Sequence, residues 1–151
     1  MMAALNPFDW RTVLLAKHAQ HVVLIHFPIA LCLSAVAFDL LARWTHRSEF
    51  STVAYWNFTL AVIGTVPAIL TGLLAWRFQL EGQRIKGILL YHMLAAAAST
   101  ILILTIWMSR FRSRRKNEAN PPSWLLALEL LGVLCITITG HLGGFLSGVN
   151  Q

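Results

Sequence analysis

The side chains of this sequence best suited to chemistry are its histidines: His18, His21, His26, His46, His92 and His141. Imidazole is the common nitrogen ligand for iron, copper and zinc, and it also carries protons near neutral pH. The two cysteines, Cys32 and Cys135, stand alone inside apolar runs and form no CxxC pair. They read as small buried hydrophobes rather than as metal or redox ligands. No phosphate loop, paired carboxylates or activated nucleophile accompanies the histidines, so no catalytic constellation is expected and the chain is not read as an enzyme.

What must position these imidazoles follows from composition. The chain has 151 residues, of which 57% are hydrophobic and 12% charged, with a mean hydropathy of +0.64. A soluble domain is nearer to about 45–50% apolar and about 25% charged. A globule of this size cannot enclose so much apolar surface, so lipid must cover it. The net charge of +6 sits between apolar runs instead of forming a continuous stripe. It reads as a membrane topology signal and not as a nucleic-acid footprint.

A bilayer-spanning helix needs about 20 predominantly apolar residues. Four runs qualify, at about 22–41, 57–76, 87–109 and 124–146, the last beginning after the helix-stopping pair Pro121 and Pro122. The expectation is an all-α fold: one membrane domain over residues 1–151, built as an up-down-up-down bundle of four transmembrane helices joined by short loops. The N-terminal MMAALNPFDWRTVLLAK lacks a basic start, an apolar core and a small-residue cleavage site. The first span is therefore expected to act as its own insertion signal. Arg11, Lys17, Arg77, Arg84 and Lys86 fall on the face that holds the termini. Arg43, Arg47, Arg110, Arg112, Arg114, Arg115 and Lys116 fall on the other. The run RFRSRRK directly after the third span weighs most under the positive-inside rule, which puts the first and third loops in the cytoplasm and both termini outside.

Alternating directions then bring His18, His21, His26, His92 and His141 to one outer face, with His46 alone on the other. At 1.5 Å of rise per residue, His26, His92 and His141 sit roughly 6–9 Å inside the apolar boundary. An ionisable group at such depth is costly and marks a candidate site. Two histidines from different helices can hold a haem iron, and Phe27, Trp76, Tyr91 and Phe145 suit a porphyrin. In an up-down ring the first and third helices are diagonal, which makes His26 and His92 the expected axial pair and His141 a supporting group. A bare metal ion would call on three histidines, or on a nearby carboxylate, and the acids Asp39 and Glu129 map to the opposite half. The alternative for each histidine is a hydrogen bond to a neighbouring helix. No histidine lies within the membrane on the other half, which speaks against a two-haem wire inside one chain.

Small residues at helical spacing let helices approach closely in lipid. Gly64, Ala68 and Gly72 form one such stripe, and Gly140, Gly144 and Gly148 another. Either is read first as seating a neighbouring helix, and the alternative is a flat cofactor lying against the glycine surface at Gly144. Pro28 and Pro67 each free a carbonyl within a span. Asp39 is spaced to pair with Arg43 at i,i+4, and Glu129 is placed to meet the basic third loop, with a proton-relay role as the alternative. Trp44, Trp56, Trp76, Trp107 and Trp124 read as an interfacial aromatic belt.

HVVLIHFPIAL (21–31), GTVPAILTGLLAW (64–76), His92 and GHLGG (140–144) occur in the order of the pattern of a bacterial membrane family, domain of unknown function 2231. The chain resembles that family over nearly its whole length. It departs in carrying Val22 where the family has proline, which shifts weight from His21 to His26, His92 and His141. The resemblance implies a four-helix domain of the bacterial inner membrane, joined in some relatives to a c-type cytochrome. The resulting expectation is a redox-associated subunit that binds b-type haem near its periplasmic face. Its expected partners are other membrane subunits of a respiratory or photosynthetic complex, or a separate c-type cytochrome. Two rivals remain open: a docking subunit without a cofactor of its own, and a tri-histidine metal-binding protein. On the topology derived above, an export-dependent reporter fused after Gln151 is active, and activity of a cytoplasm-dependent reporter there would invert the chain.

Overall fold

The computed structural model describes residues 17–78, 80–116 and 122–147, with side chains from residue 20 onward. His18 and Gly148 lie outside the described side chains. The described residues form four helices: α1 (Lys17–Thr45), α2 (Ser48–Phe78), α3 (Ile88–Arg115) and α4 (Ser123–Leu146). All four are long and apolar enough to cross a membrane. Each overruns the expected span at one or both ends, because apolar length sets the crossing segment while the helix continues into the polar flanks.

The connections explain the topology. His46, at φ 56°, turns the chain in the left-handed region between α1 and α2, a conformation that histidine tolerates better than β-branched residues do. Between α2 and α3, Glu81, Gly82 and Gly87 all have positive φ. The Trp76 indole N–H pins this loop by donating to the Gln83 carbonyl at 3.1 Å. With such tight links, consecutive helices run antiparallel. α1 packs most extensively on α2, and α3 on α4. The hairpins meet more loosely through α2–α3 and α1–α4, which closes a ring with α1 and α3 diagonal.

In lipid, burial of apolar surface does not distinguish inside from outside, so packing falls to small residues and to polar groups. The buried stripe of α2 is Ala54, Phe58, Ala61, Gly64 and Ala68, while Leu33, Ile63, Leu74, Ile101 and Leu134 point outward. Gly64 admits Phe27 and Pro28 of α1: a Cβ there would stand 3.0 Å from the Phe27 ring. Gly72 admits the ring of His21 in the same way, with a Cβ at 2.9 Å. On α4 the pattern differs from the expected stripe. Gly140 faces Ile29 of α1, whereas Gly143 takes the ring of His92, with a Cβ at 3.2 Å. Gly144 is half-buried, and its carbonyl accepts from the Ser147 hydroxyl at 2.9 Å. Threonines satisfy themselves by donating to the carbonyl one turn back, as at Thr59, Thr65, Thr100 and Thr139, which hides a hydroxyl that lipid cannot solvate.

Trp107 departs from the belt assignment. Its indole N–H donates to Thr59 Oγ1 at 3.1 Å, linking α3 to α2, so it is a packing residue. Trp44, Trp56 and Trp124 are exposed near the arginine-rich end.

Because the His21 ring fills the space above Gly72, Gly72→Leu is expected to cost about 1–3 kcal/mol by overpacking. Thermal unfolding in detergent reads this, and an unchanged midpoint would place that contact outside the folded bundle.

Candidate functional site

At the arginine-rich end, one side chain joins all four helices. Arg110 of α3 is 2% exposed. Its Nη2 lies 2.7 Å from Asp39 Oδ1 of α1 and 2.6 Å from Glu129 Oε1 of α4. Its Nε donates to the same Glu129 oxygen at 2.7 Å. The guanidinium also sits over the ring of Phe58 of α2, 5.3 Å from the centroid. Arg43 completes the group: its Nε donates to Asp39 Oδ2 at 2.9 Å, and its Nη2 to the Pro122 carbonyl at 3.4 Å. Two carboxylates and two guanidinia balance, which is what a charge cluster needs to survive in low dielectric. The contact from Nη2 to Asp39 Oδ1 is off the hydrogen-bond direction and is therefore ionic, while Glu129 Oε2 has no donor among the described residues.

The i,i+4 pair of Asp39 and Arg43 is present as the spacing implied. Glu129 does meet the basic run after the third span, through its first residue Arg110, but it does so in the buried interior instead of at the interface. Arg110 could have been recognised as a core residue. Ser99, Ile103, Ile106 and Arg110 are the buried residues along one side of α3, spaced four, three and four apart, the period of one helical face.

The histidine end divides into two pairs. His21 Nδ1 is 3.2 Å from Thr71 Oγ1 of α2. That hydroxyl already donates to the Pro67 carbonyl at 2.8 Å, so it accepts from the ring. His92 Nδ1 donates to the Thr139 carbonyl of α4 at 3.1 Å, and Ser99 meets the Thr139 hydroxyl at 3.1 Å. These two histidines bridge helices within each hairpin. His26 and His141 do not. Both are exposed and lie on the outward stripes of α1 and α4, beside Val23, Leu33 and Leu40 on one and Leu134, Ile138 and Phe145 on the other. His26 Nδ1 donates to the Val22 carbonyl one turn back, and His141 stands edge-on to Phe145 with centroids 5.0 Å apart. The contact between Ile29 and Gly140 sets the relative level of α1 and α4. His26 is one turn from Ile29 and His141 is next to Gly140, so the two imidazoles share a depth to within about 5 Å.

His26 thus faces outward while His92 faces α4, and the structure does not bring them together across the bundle. Among the described residues no group of three His, Cys, Asp or Glu side chains is close enough to hold a metal ion. Between Ser99–Thr139 and Arg110–Glu129, the buried residues of α3 and α4 are Ile103, Ile106, Gly132 and Ile136. These apolar residues separate the two polar contacts along the α3–α4 interface, and Glu129 stands there as the ion-pair partner of Arg110.

Removing one member of a buried ion pair typically costs about 3–5 kcal/mol, because its partner is left buried and uncompensated. Arg110→Met is expected to fall in that range in thermal unfolding. Adding Glu129→Gln on that background removes one stranded charge and is expected to recover part of the loss. A double variant less stable than the single one would mean that the two residues are not coupled.

A family model described as a predicted membrane protein, DUF2231, matches residues 17–150. No curated protein and no solved structure matches the chain. The match takes in all four helices, the buried charge cluster and both histidine pairs, and the chain belongs to the DUF2231 family of predicted membrane proteins.

Proposed function

We propose that this protein is a redox-associated subunit of the bacterial inner membrane that holds one b-type haem on its α1–α4 face at the histidine end. The observation that carries this reading is the division of the histidines. His21 and His92 are engaged between helices, whereas His26 and His141 remain outward on adjacent helices at one depth. An imidazole facing hydrocarbon is costly, and a partner that ligates or hydrogen-bonds it removes the cost.

The donor chemistry fits an iron porphyrin. With Nδ1 of His26 donating to the Val22 carbonyl, its Nε2 carries the lone pair, and the carbonyl fixes the ring as a supporting group does for an axial ligand. His26 is therefore the residue that would ligate iron, and His141 the one that would hydrogen-bond a propionate. Both lie on the same side of the bundle, so any further ligand to the iron would come from a neighbouring subunit, in keeping with a role inside a larger complex. The haem, when bound, would supply one-electron chemistry. The topology accompanying this reading places both termini in the periplasm, with the RFRSRRK run inside.

The second reading is a docking subunit without a cofactor. It is favoured by the hydrogen bonds of His21 and His92, which show histidine serving as glue in this very bundle.

Visible spectra of the complex isolated from its native membrane, air-oxidised and then reduced with dithionite, separate these readings. His26→Ala is expected to remove a reduced b-type band and His141→Ala to weaken it. His21→Ala and His92→Ala are expected to leave it in place while lowering the unfolding midpoint. Loss of the band on His92→Ala but not on His26→Ala would move the haem into the bundle core. A band untouched by all four changes would leave the docking role.

A further inference from the structure

We infer that the α2–α3 cleft binds an anionic phospholipid, with its phosphate at Arg114 and Arg115 and an acyl chain in the apolar groove at mid-membrane. Two separate features of the same interface support this.

The first is the groove. α2 and α3 are the loosely packed consecutive pair. Between them lies a cavity of about 140 Å³ lined by Val62, Thr65, Val66, Ile69, Thr100, Ile103 and Leu104. Val66, Ile69 and Leu104 are exposed, so the groove opens toward lipid. Its hydroxyl protons are turned to the backbone, since Thr65 donates to the Ala61 carbonyl and Thr100 to the Ala96 carbonyl. The predominantly apolar lining that remains suits an acyl chain.

The second is the cationic mouth. On α3 the residues facing α2 continue from Leu104 through Trp107 and Phe111 to Arg114. On α2 they run from Val62 through Thr59 and Tyr55 to Thr52. Arg114 reaches across, its guanidinium 4.6 Å from the Tyr55 centroid and its Nη1 donating to Thr52 Oγ1 at 3.3 Å. Arg115 lies over the Phe111 ring at 5.1 Å, which itself stacks on Trp107 at 5.8 Å. A guanidinium seated over an aromatic ring retains further N–H groups, the donors that bind phosphate in pairs of hydrogen bonds.

Charge and length pick out the occupant. Arg43 and Arg110 are neutralised by Asp39 and Glu129. Arg47 pairs with Glu49 at 3.7 Å, which leaves Arg112, Arg114, Arg115 and Lys116 without an acid among the described residues at that end. The mouth therefore prefers a lipid with net negative charge to a zwitterionic one. From Arg114 to Leu104 the helix rises about 15 Å, half of the roughly 30 Å hydrocarbon core. That is the depth one acyl chain reaches from its headgroup.

The test is native mass spectrometry of the full chain in detergent with dioleoyl phosphatidylglycerol or dioleoyl phosphatidylcholine. The parent is expected to retain the glycerol lipid about tenfold more tightly, as two guanidinium contacts warrant. Arg114→Gln with Arg115→Gln is expected to abolish that preference, while Arg112→Gln, off the α2-facing stripe, preserves it. Val66→Trp, which fills the groove, is expected to weaken retention of both lipids. Equal retention of the two lipids by the parent, a preference that survives in the double variant, or the same loss on Arg112→Gln would each overturn the proposal. Unchanged melting of every variant in lipid-free detergent confirms that each reading comes from a folded bundle.

Discussion

The bilayer interior offers no water, so every polar group that enters it must find its partner within the protein. Arg110 shows how strongly this shapes the fold. A guanidinium cannot be neutralised by losing its proton, and here it is 2% exposed. It is tolerable because Asp39 and Glu129 reach it from α1 and α4 and Phe58 offers its ring face from α2. Those contacts fix the rotation of four helices about their axes. Helices that are apolar all round have little else to set which face turns inward.

The same constraint orders the rest of the bundle. Thr139 offers its carbonyl to His92 and its hydroxyl to Ser99. Asn57 reaches Ser34 across α1–α2 at 3.1 Å, and Thr59 receives Trp107. Each hairpin thus closes through small residues and side-chain hydrogen bonds, and the two hairpins are pinned together at the arginine end. The middle of α2–α3 is a loose seam, where among the described residues no such bond spans the gap between the residues lining the cavity. His26 and His141 face outward on α1 and α4, two helices that pack against each other.

The architecture was legible because apolar length and charge spacing are one-dimensional signals. Four predominantly apolar runs separated by short charged links give four antiparallel helices, and the Gly64–Ala68–Gly72 spacing located a real contact surface. Level along the bundle follows from the same signals, and His21, His26, His92 and His141 lie toward one end of it. Rotation was not. Whether His26 points toward His92 or away depends on which side of α1 is buried, and that is set by Pro28, Cys32, Ala35 and Asp39 packing against other helices. Arg110 was hidden by its neighbours: as the first residue of a basic run it reads as a loop charge, although its spacing from Ile103 and Ile106 marks the buried face. The Gly140–Gly144–Gly148 period does not mark Gly143, which is the glycine that meets the His92 ring.

The central claim is that the histidines divide into an inter-helix pair and an outward pair, with ring orientation set by backbone or hydroxyl partners. Nitrogen-15 NMR of histidine-labelled protein in lipid reads this directly, because the two ring nitrogens report separately which one carries hydrogen. The account predicts Nδ1–H rings for His21, His26 and His92, with the His21 and His92 signals slow to exchange with solvent and the His26 signal quenched by a paramagnetic lipid. Nε2–H rings at His21 and His92, or a His26 signal shielded from lipid, would contradict it.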